Sequence, residues 1–307
     1  FRRHGYQTRC AGKIFHNWHT KIHGDPVSWS APEFLHFANH GDDLAKVVGE
    51  LPPNRAATTK GFGYAGPGIC ECRDVPDEAY YDGRVAAEAV RLLGEFGDQP
   101  FFLAVGFWKP HAQFNAPQKY WDLNQRDELP VLDGRRPEGA VEAAFHESTE
   151  VLGPVAQQKV PSAAQAAEMR HGYFANISYL DAQVGKVLGA LESNGLADRT
   201  IVVFLSDHGY QVGEHGLWGK TSNFEYDARV PLLIRSPVQQ SGPGETSSLV
   251  ELIDVFPTLA ELCGLPQPAG LEGVSLVPVL RDGGMRVKAA ARTQVRSPAT
   301  SRNSCNC

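Results

Sequence analysis

The chain has 307 residues and a formal net charge of −6, with 29 Lys and Arg against 35 Asp and Glu. The charges are interspersed, so no basic stripe offers itself to a phosphate backbone, and nucleic acid is excluded as the expected partner. A hydrophobic fraction of 42% fits one large α/β domain or two small ones, and no apolar run approaches the roughly 20 residues needed to cross a bilayer.

Cys10, Cys70, Cys72, Cys263, Cys305 and Cys307 are too few and too scattered for a disulfide framework, and they leave the redox compartment open. The opening residues Phe1-Arg-Arg-His-Gly5 carry no initiator Met and no leader-like apolar segment, so the true N-terminus is expected to be missing or processed.

In chain order, Gln7 to Ala11 forms a short stretch that ends just before Lys13 and His16. Glu50 to Pro76, rich in Gly, Pro and charge, reads as a long surface excursion able to shape a binding site. Val85, Ala89, Leu92, Leu93 and Phe96 recur at helical spacing, Gly97 stops the helix, and Phe101 to Val105 reads as a buried strand. The alternation repeats with Tyr173, Ile177, Leu180, Val184, Val187, Leu188 and Leu191 on one helical face, a break at Gly195, and the strand Ile201 to Leu205. All-apolar strands of this length suggest a parallel sheet covered on both faces. A third apolar run, Val230 to Ile234, precedes a helix over Val255 to Cys263, with Asp254 as its cap and Pro257 in its first turn. Helices alternating with buried strands predict an α/β sandwich. One domain is expected over residues 1–285, followed by a tail, 286–307, that is basic and expected to be disordered or aberrant.

Three clusters fall just after predicted strands. Asp207 and His208, in Ser206-Asp-His-Gly209, offer a hard oxygen and a nitrogen to a divalent cation at a strand's carboxyl end, where open α/β sheets bind ligands. The bland alternative, a helix-capping Asp beside a surface histidine, is equally open from this motif alone. Lys13 with His16, and Lys109-Pro-His111, are each compatible with solvated side chains when taken singly. Together the set gathers lysines, imidazoles and a metal site, which suits transfer of a sulfuryl or phosphoryl group to water.

Gly12-Lys-Ile-Phe-His16, Pro100 to His111, Ser206-Asp-His-Gly-Tyr-Gln-Val-Gly-Glu-His-Gly216, Lys220-Thr-Ser-Asn-Phe-Glu225, Asp254-Val-Phe-Pro-Thr-Leu259 and Leu271-Glu-Gly-Val-Ser275 occur in the order of the sulfatase signatures. Over about residues 1 to 282 the chain resembles the sulfatases, closest to their iduronate-2-sulfatase branch. The resemblance implies an alkaline-phosphatase-like sandwich with a central, mostly parallel sheet flanked by helices. It implies hydrolysis of sulfate esters on a sulfated carbohydrate and an extracytoplasmic location. Asp207 and His208 match ligands of a calcium ion, Lys13 matches a contact to sulfate and nucleophile, and His16 matches the base that releases sulfate. His111 and Lys220 match the pair that hold sulfate and assist the leaving oxygen.

The nucleophile of this family is a formylglycine hydrate made by a maturation enzyme from Cys or Ser in C/S-x-P/A-x-R. No stretch of the 307 residues fits that pattern, and Asp42-Asp43 lies too late to match the family's first pair of metal-ligating aspartates. The formylglycine and those ligands are therefore expected upstream of residue 1. Asn115 stands where the branch carries an arginine for a substrate carboxylate, which leaves uronate preference open.

Two further patterns carry less. Gly61-Phe-Gly63-Tyr-Ala-Gly66 lacks the strand before and the helix after that a dinucleotide site needs, and Cys70-Glu-Cys72 with Cys305-Asn-Cys307 lacks zinc spacing. The sequon Asn176-Ile-Ser178 falls inside a predicted helix.

Overall fold

A computed structural model describes residues 1–15, 25–35, 70–153, 160–237 and 244–295. His16, Asp42, Asp43, the glycine run at 61–66, Cys305 and Cys307 lie outside the described residues. The strands and α-helices are β1 (Gln7–Gly12), β2 (Cys70–Arg73), α1 (Tyr81–Phe96), β3 (Phe101–Gly106), β4 (Phe114–Pro117), α2 (Gln118–Trp121), α3 (Thr149–Leu152), α4 (Ala163–Ser193), β5 (Val202–Leu205), β6 (Gln211–Val212), β7 (Trp218–Gly219), α5 (Glu225–Ala228), β8 (Leu232–Arg235), α6 (Val255–Leu262) and α7 (Val277–Arg281). They fall into two compact units, one of residues 1–195 with 211–219, the other of 196–210 with 220–307.

In the first unit, β1 and β3 pair in parallel from Gln7 opposite Phe101 to Gly12 opposite Gly106. The crossover between them contains α1, whose predicted stripe of Val85, Ala89, Leu92, Leu93 and Phe96 is buried as expected, with Gly97 ending the helix at φ 55°. A second parallel pair joins β2 to β4. Cys70–Arg73 is thus a paired strand, although it lies inside the stretch expected to be an irregular excursion. Its Cys-Glu-Cys-Arg sequence alternates apolar and charged residues over only four positions, too short a run to reveal a strand, and the pairing with β4 supplies the order.

The long helix α4 exists as predicted, opened by a capping box between Ser162 and Gln165, but its buried face is different. Met169, Gly172, Ala175, Asn176, Tyr179 and Gln183 point inward, while Ile177 and Leu188 are exposed. Close approach explains the rotation: a Cβ on Gly172 would stand 2.8 Å from both Phe114 Cβ and Trp121 Cη2, so only glycine lets the helix reach β4 and α2. Tyr179 OH donates to the Asp77 carbonyl at 2.9 Å, and Gln183 donates to the Asp77 carboxylate at 3.1 Å. Because Asn176 is fully buried, the sequon is not presented to solvent.

In the second unit, β5 pairs antiparallel with β8, Val202 opposite Arg235 through Leu205 opposite Leu232. The apolar run Ile201 to Leu205 predicts a strand of a parallel sheet, and the pairing is antiparallel. Apolar content reports burial, not the direction of the partner, and in β5 even the burial is partial, with Phe204 and Leu205 about 40% exposed. The α6 helix forms as predicted, but the Asp254 side chain does not cap it. Its carboxylate accepts the backbone N–H of Glu251 at 2.8 Å and of Val274 at 2.9 Å and pairs with Lys288 Nζ at 2.7 Å.

Candidate active site

Lys13 and His111 come together in the first unit because β1 and β3 run in parallel and end at the same edge. Gly12 (φ 84°) faces Gly106, and a Cβ at Gly12 would sit 2.1 Å from the Gly106 carbonyl oxygen, so the two exits are packed backbone against backbone. Lys13 follows at once, its N–H donating to that same carbonyl at 2.8 Å. Its ammonium lies 5.8 Å from the Trp108 ring centroid, and the His111 ring meets Trp108 edge-on at 5.3 Å. A cation and an imidazole therefore share one indole as neighbour.

The loop carrying His111 is clamped from α1. Asp82, wholly buried in the first turn, accepts the backbone N–H of Trp108 at 2.8 Å and of Lys109 at 2.9 Å. Burial holds the Asp82 pKa above the ordinary carboxylate value, and these two donors and the nearby Lys109 and Arg84 charges offset only part of that rise. Lys109 is itself buried and donates Nζ to the Gln113 carbonyl at 2.7 Å, so it is a structural strut, not a substrate-facing cation. His111 Nε2 meets Glu150 Oε1 at 2.8 Å, and its Nδ1 faces the Ala112 carbonyl. Asn115 is 1% exposed within β4 and is not presented to a ligand.

In the second unit, Asp207 and His208 follow β5 as predicted, Asp207 with its side chain 67% exposed. His208 Nδ1 stands 2.7 Å from the Gly209 carbonyl and donates to it, which turns Nε2 away from that carbonyl, 3.7 Å from Asp207 Oδ1. A carboxylate oxygen beside an imidazole nitrogen fits part of a divalent ion's shell. Among the described residues no cluster of three or more His, Cys, Asp or Glu completes it, whereas calcium takes about 6–8 oxygen ligands. Gly209 is required for the turn: a Cβ there would lie 1.8 Å from the Tyr226 carbonyl oxygen, and its N–H donates to the Asp227 carbonyl at 2.8 Å. Lys220 places its ammonium 6.0 Å from the Tyr210 ring centroid.

Cys10, Cys70 and Cys72 are not ready nucleophiles. Burial pushes both Cys10 and Cys70 up to about 12, and burial followed by Asp122 raises Cys72 as well, so all three are neutral thiols at physiological pH.

Sequence comparison decides what this geometry belongs to. The family model described as Sulfatase matches residues 1–265. The chain belongs to the sulfatase family. It is 34% identical to iduronate 2-sulfatase of Mus musculus over 87% of its own length and 54% of that relative's. It is 35% identical to choline-sulfatase of Rhizobium meliloti (strain 1021) over 70% of its own length and 43% of that relative's. The chain therefore spans about half the length of these curated relatives.

Among solved structures it resembles BT4656 in complex with its substrate D-glucosamine-2-N,6-O-disulfate, with a TM-score of 0.66, 19% identity and coverage of 95% of this chain and 65% of that one. It also resembles phosphonate monoester hydrolase from Silicibacter pomeroyi, with a TM-score of 0.65, 19% identity and coverage of 95% and 61%. The fold of this sulfatase-family chain is accordingly the alkaline-phosphatase-like α/β sandwich. Its sequence did not announce Asp82 or Glu150: an acidic residue in a first helical turn and one in a four-residue helix carry no signal of what they will face.

Proposed function

We propose that the complete protein hydrolyses sulfate esters on a sulfated sugar, and that this chain supplies the residues that bind the sulfate and protonate the leaving oxygen. The observation that carries the reading is the convergence of Lys13 and His111 around Trp108 at the carboxyl ends of parallel β1 and β3. A lysine ammonium neutralises non-bridging sulfate oxygens, and Lys220 is assigned the same task. An imidazolium at His111 gives its proton to the sugar alkoxide as the S–O bond breaks, and His16 acts as the base that later frees sulfate.

Asp207 and His208 would hold the ion, which the family resemblance makes calcium. When bound, the ion supplies positive charge next to the sulfate, and a formylglycine hydrate from chain outside these residues supplies the nucleophile. A maturation enzyme acting on that outside segment and an extracytoplasmic setting belong to the same reading. Among the described residues no helix is long and apolar enough to cross a membrane.

Matched aryl sulfate and aryl phosphate esters test the reaction class: the complete protein should release sulfate much faster. Faster phosphate release would move it to the phosphoester or phosphonate hydrolases, and release of neither would leave a binder of sulfated glycans. Asp207→Ala should lose calcium and activity together, and survival of both would overturn the ligand assignment.

A further inference from the structure

His111 has an acceptor at each ring nitrogen. The Ala112 carbonyl faces Nδ1 and has no hydrogen to give, so Nδ1 carries one. The Glu150 carboxylate stands 2.8 Å from Nε2, a distance at which an ionised carboxylate accepts a second hydrogen. The ring so placed can carry a hydrogen on both nitrogens, and its plane is fixed from two sides. Glu150 comes from a different element, α3, which is seated by buried Val151 and by Ser148, whose Oγ accepts the Trp218 backbone N–H at 2.9 Å.

We propose that Glu150 is the positioning residue of His111, keeping it protonated and aligned until the leaving oxygen takes over Nε2. The inference rests on the functional reading of His111 given above. At that moment the Nε2–H bond breaks, an O–H bond forms on the alkoxide, and a neutral imidazole remains. Water then returns a proton to the ring, and the Glu150 carboxylate, its side chain 27% exposed, stabilises the cation that re-forms. Nothing in the family motifs points to Glu150, which lies 39 residues beyond His111 and outside every signature segment.

The test is a double-mutant cycle on kcat in the complete, matured protein with an aryl sulfate. Glu150→Gln keeps the shape and removes the charge, and it should lower kcat about tenfold or more, with Glu150→Asp recovering part of the loss. In a His111→Ala background the same Glu150→Gln change should alter kcat by less than about twofold, because its target is gone. Equal losses in both backgrounds, or no loss in the wild-type background, would overturn the role of Glu150 while leaving His111 in place. A His111→Ala variant with normal turnover would instead sink the functional reading and this inference with it. Ring 15N shifts of His111 give an answer that needs no variant to fold: both nitrogens should report the protonated form, and a neutral ring would overturn the proposal.

Discussion

Asp82 accepts the backbone N–H of Trp108 at 2.8 Å from the first turn of α1, and so ties the wall of the candidate site to a helix that has no part in the chemistry. Its second oxygen holds the next N–H, that of Lys109, at 2.9 Å. Asp82→Asn sets an amide N–H₂ against one of these donors inside a fully buried site. The variant should lose about 2–4 kcal/mol of stability in urea titrations, the cost of an unsatisfied buried pair. A loss under about 0.5 kcal/mol would show that the loop holds its shape without the clamp.

Asp77 predicts an acid limb for stability. Burial alone would raise its pKa, but Lys119 and Lys186, each 2.8 Å away, with Gln183 and Tyr120, bring it down from 3.8 to about 2. A depressed folded-state value means the stabilisation is complete above the unfolded value and is lost as pH falls from about 4 towards 2. The shift corresponds to roughly 2 kcal/mol at neutral pH. Thermal melts of Asp77→Asn should be lower at pH 7 and flatter between pH 4 and 2 than those of the parent, and parallel curves would refute this.

Gly209→Ala should disrupt the turn that presents Asp207 and His208, because the new methyl carbon would overlap the Tyr226 carbonyl oxygen at 1.8 Å. Calorimetric titration of the complete protein should show weakened calcium binding along with a lowered melting temperature. Unchanged calcium affinity would dissociate the turn from the metal.

Alanine at His111 or Lys220 should leave folding intact and cost on the order of 10²-fold or more in turnover of the complete protein. The 307-residue polypeptide by itself should show no multiple turnover of any sulfate ester, since no C/S-x-P/A-x-R motif is present and burial keeps the Cys10 and Cys70 thiols neutral. A rate from the purified chain that disappears in Lys13→Ala, His111→Ala would prove the nucleophile lies within these residues.

The sequence by itself determined the helices α1 and α6, the strands around Phe101 and Ile201, and the order of motifs that assigns the chain to the sulfatases. These are local or linear properties: apolar periodicity, a glycine stop at Gly97, and short strings such as Ser206-Asp-His-Gly209. Only the tertiary structure decided which face of α4 is buried, because Gly172, Asn176 and Gln183 pack by closeness and hydrogen bonding, which hydrophobic spacing does not register. The antiparallel pairing of β5, the strand at Cys70–Arg73 and the Asp254–Lys288 contact likewise depend on partners distant in sequence. The same holds for the site: Lys13 and His111 were legible as candidates, but the Trp108 ring they share, the Asp82 clamp and the Glu150 carboxylate on Nε2 exist only once chain folding brings residues dozens of positions apart into contact.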